Sequence, residues 1–432
     1  MTTGLARASV RARPSAFGGV FAVLTLSATV VTASVAMVRT ASGAPPSAHR
    51  EDLTTMGLGF TLVTVYLSVF VIGQVMALSV AQRARENALL RAVGASPWQV
   101  RRMVAAEALL TALIAWPVGY GLGTALARVW CDGMAGQGML PAGTRLVVGW
   151  PPALAAAGVL AVTAQLGGLL AAHRAARSRP AAALGEAEAP RSGVTVVRLG
   201  MAVAALAGAV ALTAVTAAGP ADETAERLPL VLFAYLAAVG LAGPAIGRLA
   251  TGVAALVLRA LGNGVVGELA VANGRALARR WSSAVTPVAM VVAFALVRFA
   301  ALARTGTPAW MDVFATALYA GFASLVAANT VVMLTAERRR EVALLWAVGT
   351  GAGQVVRMVL LEGAIVALTG FGAGAAVACA VTLPLGAAAG APLSALPVAA
   401  WAATGGGVLL LVLGSAAVPL GRLLRGRRGV VV

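Results

Sequence analysis

Long apolar stretches alternate with short arginine-bearing segments along the whole chain. Ten stretches are long enough to span a bilayer, at about 17–38, 56–80, 105–127, 150–172, 199–218, 228–247, 284–303, 310–334, 362–383 and 396–420. Each is near the roughly 20 residues that about 30 Å of hydrocarbon requires. They are rich in Ala, Gly, Val and Leu. Helices are the form such spans take, because backbone groups in lipid must be satisfied within the segment. Small residues then let helices approach closely. The predicted fold class is an all-α integral membrane protein of about ten transmembrane helices. The first stretch, Phe17–Val38, follows Arg7, Arg11 and Arg13 like a signal peptide. It is too long for an apolar signal region of roughly 7–15 residues, so it reads as an uncleaved first span.

Composition supports this picture. The chain of 432 residues is 60% hydrophobic and 11% charged, with a mean hydropathy of +0.89. A soluble domain carries about a quarter charged residues. The net charge of +18 comes entirely from arginine, since there is no lysine. With the N-terminus placed in the cytoplasm, 26 of the 33 arginines fall in inner segments. Six fall in outer loops (Arg39, Arg50, Arg128, Arg145, Arg227 and Arg304), and Arg298 sits within a span. This bias predicts a multi-pass protein of the bacterial cytoplasmic membrane with both termini inside. It accounts for the charge without a nucleic-acid partner. The outer loops are short, the longest being about 39–55 and 128–149, and none can bury a core of its own.

An internal repeat lies at an offset of 255. Ala81–Glu107 reads AQRARENALLRAVGASPWQVRRMVAAE, and Ala336–Glu362 reads AERRREVALLWAVGTGAGQVVRMVLLE. Sixteen of the 27 positions are identical, including Arg, Glu, Gly and Gln in register. A weaker echo relates Leu5–Ala12 to Leu269–Ala276, both basic segments just ahead of a span. The chain therefore divides into a first four-span unit (1–185, repeat segment 81–107), a linker with two spans (186–267), and a second four-span unit (268–432, repeat segment 336–362). Two intervening spans leave both units in the same orientation, as a parallel repeat.

The repeat has a physical reading. From Met56 a helix can run to Val93, about 57 Å at 1.5 Å per residue, so it projects beyond the membrane as a stalk. Arg83 with Glu86, and Arg338 with Glu341, sit at the i,i+3 spacing that supports an exposed helix. Gly94 ends the stalk. Ser96, Pro97 and Gln99 then supply an N-cap, a first-turn proline and a capping box. The expectation is a short capped helix across the membrane surface, with the third span starting near Glu107. In the second copy Gly349 holds the turn, but Gly351-Ala352-Gly353 replaces Ser-Pro-Trp. The lost cap predicts a helix less stable by about 1 kcal/mol.

The strings RENALLRAVGAS and REVALLWAVGTG resemble the signature of the FtsX-like permease family, which includes MacB-type ABC transporter permeases. The resemblance covers both units. It implies that these are the coupling segments, which contact a separate ATP-hydrolysing subunit. By motif position it assigns Arg85, Glu86, Leu89, Leu90, Arg91, Gly94 and Arg102 to the first segment. It assigns Arg340, Glu341, Leu344, Leu345, Gly349 and Arg357 to the second, where Trp346 replaces the basic residue opposite Arg91. Larger family members often carry a big extracytoplasmic domain, which this sequence lacks.

The function implied is the permease subunit of an ABC transporter, coupling ATP hydrolysis by a cytoplasmic ATPase to export or extraction of an amphipathic molecule. The expectation is two ATPase copies per permease chain. The chain itself is expected to be no enzyme and to hold no cofactor or metal, with ATP and Mg bound by the partner. No GxxxxGK[ST] motif exists, and none is possible without lysine. His49 and His173 fall on opposite sides of the membrane, so they form no shared site. Cys131, in a predicted outer loop, and Cys379, in a span, make neither a disulfide nor a zinc site together. Glu107 and Glu362 either pair with Arg102 or Arg357, or sit favourably near helix N-termini. Arg298 either faces substrate or a gate, or snorkels outward. Pro117, Pro244, Pro287 and Pro384 are candidate kinks. Two rivals stand beside the transporter: a non-transporting mechanotransmitter acting on an envelope partner, and an ion-coupled secondary transporter. Little outer surface is left for the former, and no span carries the midplane acid usual in the latter.

Overall fold

The computed structural model of this chain describes residues 14–43, 93–138, 140, 144–177, 196–260, 278–305, 310–336, 339–388 and 397–427, with residues 54, 57, 58, 61, 65, 68, 69, 72, 89 and 90 between the first two blocks. Every regular element among the described residues is helical. They are α1 (Pro14–Gly43), α2 (Pro97–Gly136), α3 (Trp150–Arg177), α4 (Val196–Ala218), α5 (Ala221–Ala260), α6 (Ala278–Thr305), α7 (Trp310–Ala336), α8 (Arg339–Ala347), α9 (Ala352–Ala388) and α10 (Val398–Arg427). Eight of them (α1, α2, α4, α5, α6, α7, α9 and α10) are long and apolar enough to cross a membrane, and α3 carries a shorter apolar segment, Trp150–Leu166. The chain is a multi-pass membrane protein. Its exposed surface is apolar, with Leu113, Leu154, Leu206, Leu368 and Leu410 among the exposed side chains. That is the surface a lipid solvent selects.

The second span, expected at 56–80, lies mostly outside the described residues; those described there are helical. The lead-in segments Leu5–Ala12 and Leu269–Ala276 lie outside the described residues as well.

One expectation is corrected. No separate surface helix precedes the third span. The helix capped at Ser96 runs without interruption from Pro97 to Gly136, and its copy runs from Ala352 to Ala388. The physical reason is the absence of any breaker between Gln99 and Glu107; Val100–Glu107 are helix formers that continue the capped turn into the span. Pro117 and Pro384 sit inside these helices without ending them. The longer helix also places Cys131 in the last turns of α2, buried, where a loop was expected.

The chain forms two compact units, Met1–Glu188 and Ala189–Val432. The two intervening spans, α4 and α5, pack within the second. In the first unit α1, α2 and α3 pack on one another. Polar ties reinforce the α2–α3 pair: Trp116 Nε1 donates to the Ala153 carbonyl (2.8 Å), Tyr120 to Gly149 (3.2 Å), and Gln165 Nε2 to Ala105 (3.1 Å). In the second unit α6 packs against α9, α7 and α10, and α4 and α5 add to one side. Phe294 of α6 joins Phe233 of α5 edge-on and Tyr319 of α7 in a stack, each at 5.8 Å.

Pro244 lies within α5, removes the amide that would serve the Gly240 carbonyl, and crowds that carbonyl with its ring. Arg198 of α4 fills the gap. Its Nε donates to the Leu241 carbonyl (2.9 Å) and its Nη2 to that of Gly240 (3.1 Å). An arginine read as an inner-loop charge thus repairs a proline break in the neighbouring span.

The repeat is visible in the packing. Ala115, Gly119 and Gly123 form a buried stripe on α2, and Gly370, Gly374 and Ala378 occupy the same repeat positions on α9. A Cβ on Gly119 would meet the Ala28 side chain and lie 2.7 Å from the Thr25 carbonyl oxygen. One on Gly374 would meet the Ala289 carbonyl and lie 2.6 Å from Val292 Cβ. The partners of these equivalent glycines, Thr25 with Ala289 and Ala28 with Val292, are 264 residues apart. That is the offset of the lead-in echo, so α1 and α6 are equivalent helices in equivalent contact.

Candidate functional site: two helical corners

The repeated signature folds into a sharp corner in each unit. Gly94 (φ +105°) and Gly349 (φ +90°) take the left-handed conformation that glycine alone adopts cheaply. In the first corner the Ala95 amide donates to the Leu90 carbonyl (2.9 Å). In the second, Thr350 donates to Leu345 (3.0 Å) and Gly349 to Trp346 (3.0 Å). These bonds are the Schellman pattern, which satisfies the last carbonyls of the helical turn before each glycine.

A new helix starts three residues after the glycine. Ser96 caps α2: its hydroxyl accepts from the Gln99 amide (3.3 Å), and Gln99 Oε1 accepts from the Ser96 amide (2.8 Å), closing the capping box. The second corner keeps half of this device. Gln354 Oε1 accepts from the Gly351 amide (3.0 Å), while glycine offers no hydroxyl in return. The C-cap fixes where one helix stops, the N-cap where the next begins, and three residues between them leave little freedom of angle.

The corners present apolar side chains to solvent. Val93 and its repeat equivalent Val348 are 89% and 86% exposed, and Leu89 and Leu344 are exposed beside them. Leu90 is exposed and Leu345 half-buried. Apolar residues are thus left bare at equivalent turns of both repeats. Sequence reading assigned the leucines and glycines by motif but passed over the two valines. Their invariance within the repeat was the available signal.

Other candidate residues fall elsewhere. Arg85, Glu86 and Arg91 lie outside the described residues, as does the side chain of Arg340. Glu341 stands half-buried in the first turn of α8, where a carboxylate complements the helix dipole. Glu107 and Glu362 are buried, 3% and 4% exposed, in α2 and α9. Arg102 and Arg357 are exposed. Each Glu follows its Arg by five positions on the same helix. Arg298 is half-buried on α6, seven residues before its end at Thr305. No group of His, Cys, Asp and Glu that could hold a metal occurs among the described residues.

Comparison with known proteins agrees with this geometry. A family model for the FtsX-like permease C-terminal domain matches twice, over residues 58–180 and 313–426, more than half of the chain. Each match contains one corner and the spans on either side of it. No curated protein matches the chain. Two matched regions, each built around the same capped corner, make this chain a member of the FtsX-like permease family.

Proposed function

We propose that the chain is the membrane-spanning subunit of an ABC-type transporter and that the two corners are where a cytoplasmic ATPase takes hold. The observation that carries this reading is the pair of exposed valines, Val93 and Val348, at equivalent positions of two rigidly capped turns. A motor must push on something that does not yield. A Schellman stop followed by an N-cap makes such a lever, because movement of the turn passes directly into α2 or α9. With no separate surface helix, the third span of each unit is itself the lever arm.

The arginine distribution supports an orientation with both corners and both termini on the cytoplasmic side. One corner in each unit suits two ATPase subunits per permease chain. Arg85, Glu86, Arg91, Arg102, Arg340, Glu341 and Arg357 provide charge around the apolar tips for partner recognition. ATP and Mg belong to the partner, and the work done is export or extraction of an amphipathic molecule across the cytoplasmic membrane. The test is reconstitution of the purified chain in proteoliposomes with candidate ABC ATPases. ATP hydrolysis is expected to rise when both are present and to rise again with a transported amphiphile. Hydrolysis indifferent to the permease contradicts the proposal.

A further inference from the structure

The ends of four helices meet in the second unit, on the side away from its corner. Thr216 of α4, Leu228 of α5, Val297 and Ala301 of α6, and Leu385 and Ala388 of α9 line a partly open cavity of about 260 Å³ there. Ala388 is the last residue of α9, and Ala352, its first, follows the Gly349 corner. One unbroken helix, about 54 Å long at 1.5 Å per residue, therefore joins the corner to the cavity wall.

The lining is hydrocarbon in character. Thr224 and Thr382 also face the cavity. Each of the three threonines donates its hydroxyl to the carbonyl four residues back: Thr216 to Leu212 (2.8 Å), Thr224 to Pro220 (3.4 Å) and Thr382 to Ala378 (2.8 Å). Their protons are thus engaged by backbone. Among the described residues, no ionisable side chain lines the cavity. A charged group would lose its hydration there without gaining a partner. An apolar group suffers no such loss, and about 150 Å³ of apolar cavity already admits a molecule the size of benzene.

Charge begins at the rim. Gly219 lines the cavity, and Arg227 Nη1 stands 2.9 Å from where a Cβ on that glycine would be. In sequence, the first turns of α5 also carry Asp222, Glu223 and Glu226. The start of this helix therefore holds both signs of charge beside an uncharged cavity.

The first unit fills the corresponding space. At the repeat offset of 255, Leu385 corresponds to Trp130, and at the offset of 264 Ala301 corresponds to Met37. Both large side chains are buried, 1% and 4% exposed. The cavity thus depends on smaller residues in α6 and α9, and on α4 and α5, which lie outside the repeat.

We propose that this cavity takes the hydrocarbon tail of an exchangeable amphiphile, with the head left at the rim beside Arg227, and that the first unit has no such site. The proposal gives the transporter reading a substrate site and rests on that reading for its purpose, but its test needs no ATPase.

The full chain is reconstituted in nanodiscs and irradiated with an alkyl maltoside that carries a diazirine at the end of its tail. Labelling is expected within 297–301 of α6 and 382–388 of α9, and not at Met37 or Trp130. The variant Ala301→Met plus Leu385→Trp installs the first unit's residues. It is expected to lower labelling at least about tenfold, the affinity that roughly two buried methylenes carry. Unlabelled alkyl maltoside of equal chain length should compete, and maltose should not. Wild-type labelling absent from 297–301 and 382–388, or persisting in the folded double variant, overturns the cavity site. Competition by maltose overturns the tail assignment. Labelling lost in the variant but not displaced by excess alkyl maltoside marks a resident bilayer chain and overturns exchange. If the double variant melts early, Ala301→Met alone provides the same comparison, with a smaller expected loss and the same overturning result. Failure of the chain to bind any ATPase would sink the transporter reading and leave this labelling unaffected.

Discussion

The side-chain carbonyl of Gln354 accepts the backbone amide of Gly351 at 3.0 Å, the same contact that Gln99 makes to Ser96 255 residues earlier. The second corner has therefore kept the reach-back half of the capping box and lost the hydroxyl half. Ser96→Ala should cost about 1 kcal/mol, whereas Gly351→Ser should add a few tenths, since glycine is itself a fair N-cap. Thermal unfolding of the purified chain reads both. A loss at Ser96 with no gain at Gly351 would mean that the second corner is held by other means.

Gly94 and Gly349 both stand at positive φ with open space where a Cβ would go. Alanine at either position meets backbone strain alone, about 1–2 kcal/mol, without a packing clash. We expect Gly94→Ala and Gly349→Ala to lower stability by similar amounts and Gly94→Asn to restore part of the loss. Unfolding midpoints of the three variants check the ranking.

The glycine seams make a sharper contrast. Gly119 and Gly374 have no room for a Cβ, because backbone carbonyls of α1 and α6 stand against them. Gly121 and Gly372 lie two residues away on or before the same helices and face open space. Gly119→Val and Gly374→Val should cost about 1–3 kcal/mol or prevent assembly of their unit. Gly121→Ala and Gly372→Ala should gain up to about 1 kcal/mol from helix propensity. Similar effects at all four sites would contradict the close α1–α2 and α6–α9 contacts.

Arg198 and Pro244 form a coupled pair. Removing the guanidinium strands the half-buried Gly240 carbonyl, which Pro244 deprives of its helical amide, at a cost of about 1–3 kcal/mol. Pro244→Ala restores the helical amide, so Arg198→Ala should cost much less in that background. A double-mutant cycle on unfolding midpoints measures the coupling, and additivity within about 0.5 kcal/mol would remove the proposed repair.

Most of the fold was legible because lipid imposes one rule on every span. Apolar length gave the helices, and identity at Arg85, Glu86, Gly94 and Gln99 with their copies gave the repeat. The glycine turn and the Ser96 cap were readable too, since each is a local device with its own residue types. The merger of capped helix and third span was not. It depends on the absence of a breaker between Gln99 and Glu107, and the basic pair Arg101-Arg102 read as a surface segment rather than the first turns of a span. The Arg198–Pro244 repair was hidden for a different reason: its partners are more than 40 residues apart, and only packing brings them together.

The most direct test of the proposed docking surface is co-purification of the solubilised chain with candidate ABC ATPases, comparing wild type with Val93→Asp plus Val348→Asp. Both side chains are exposed, so the double variant should fold with an unchanged melting midpoint. The account predicts that wild type retains the ATPase and that the folded variant releases it, with each single variant between. Retention by the folded double variant at the wild-type level would contradict it.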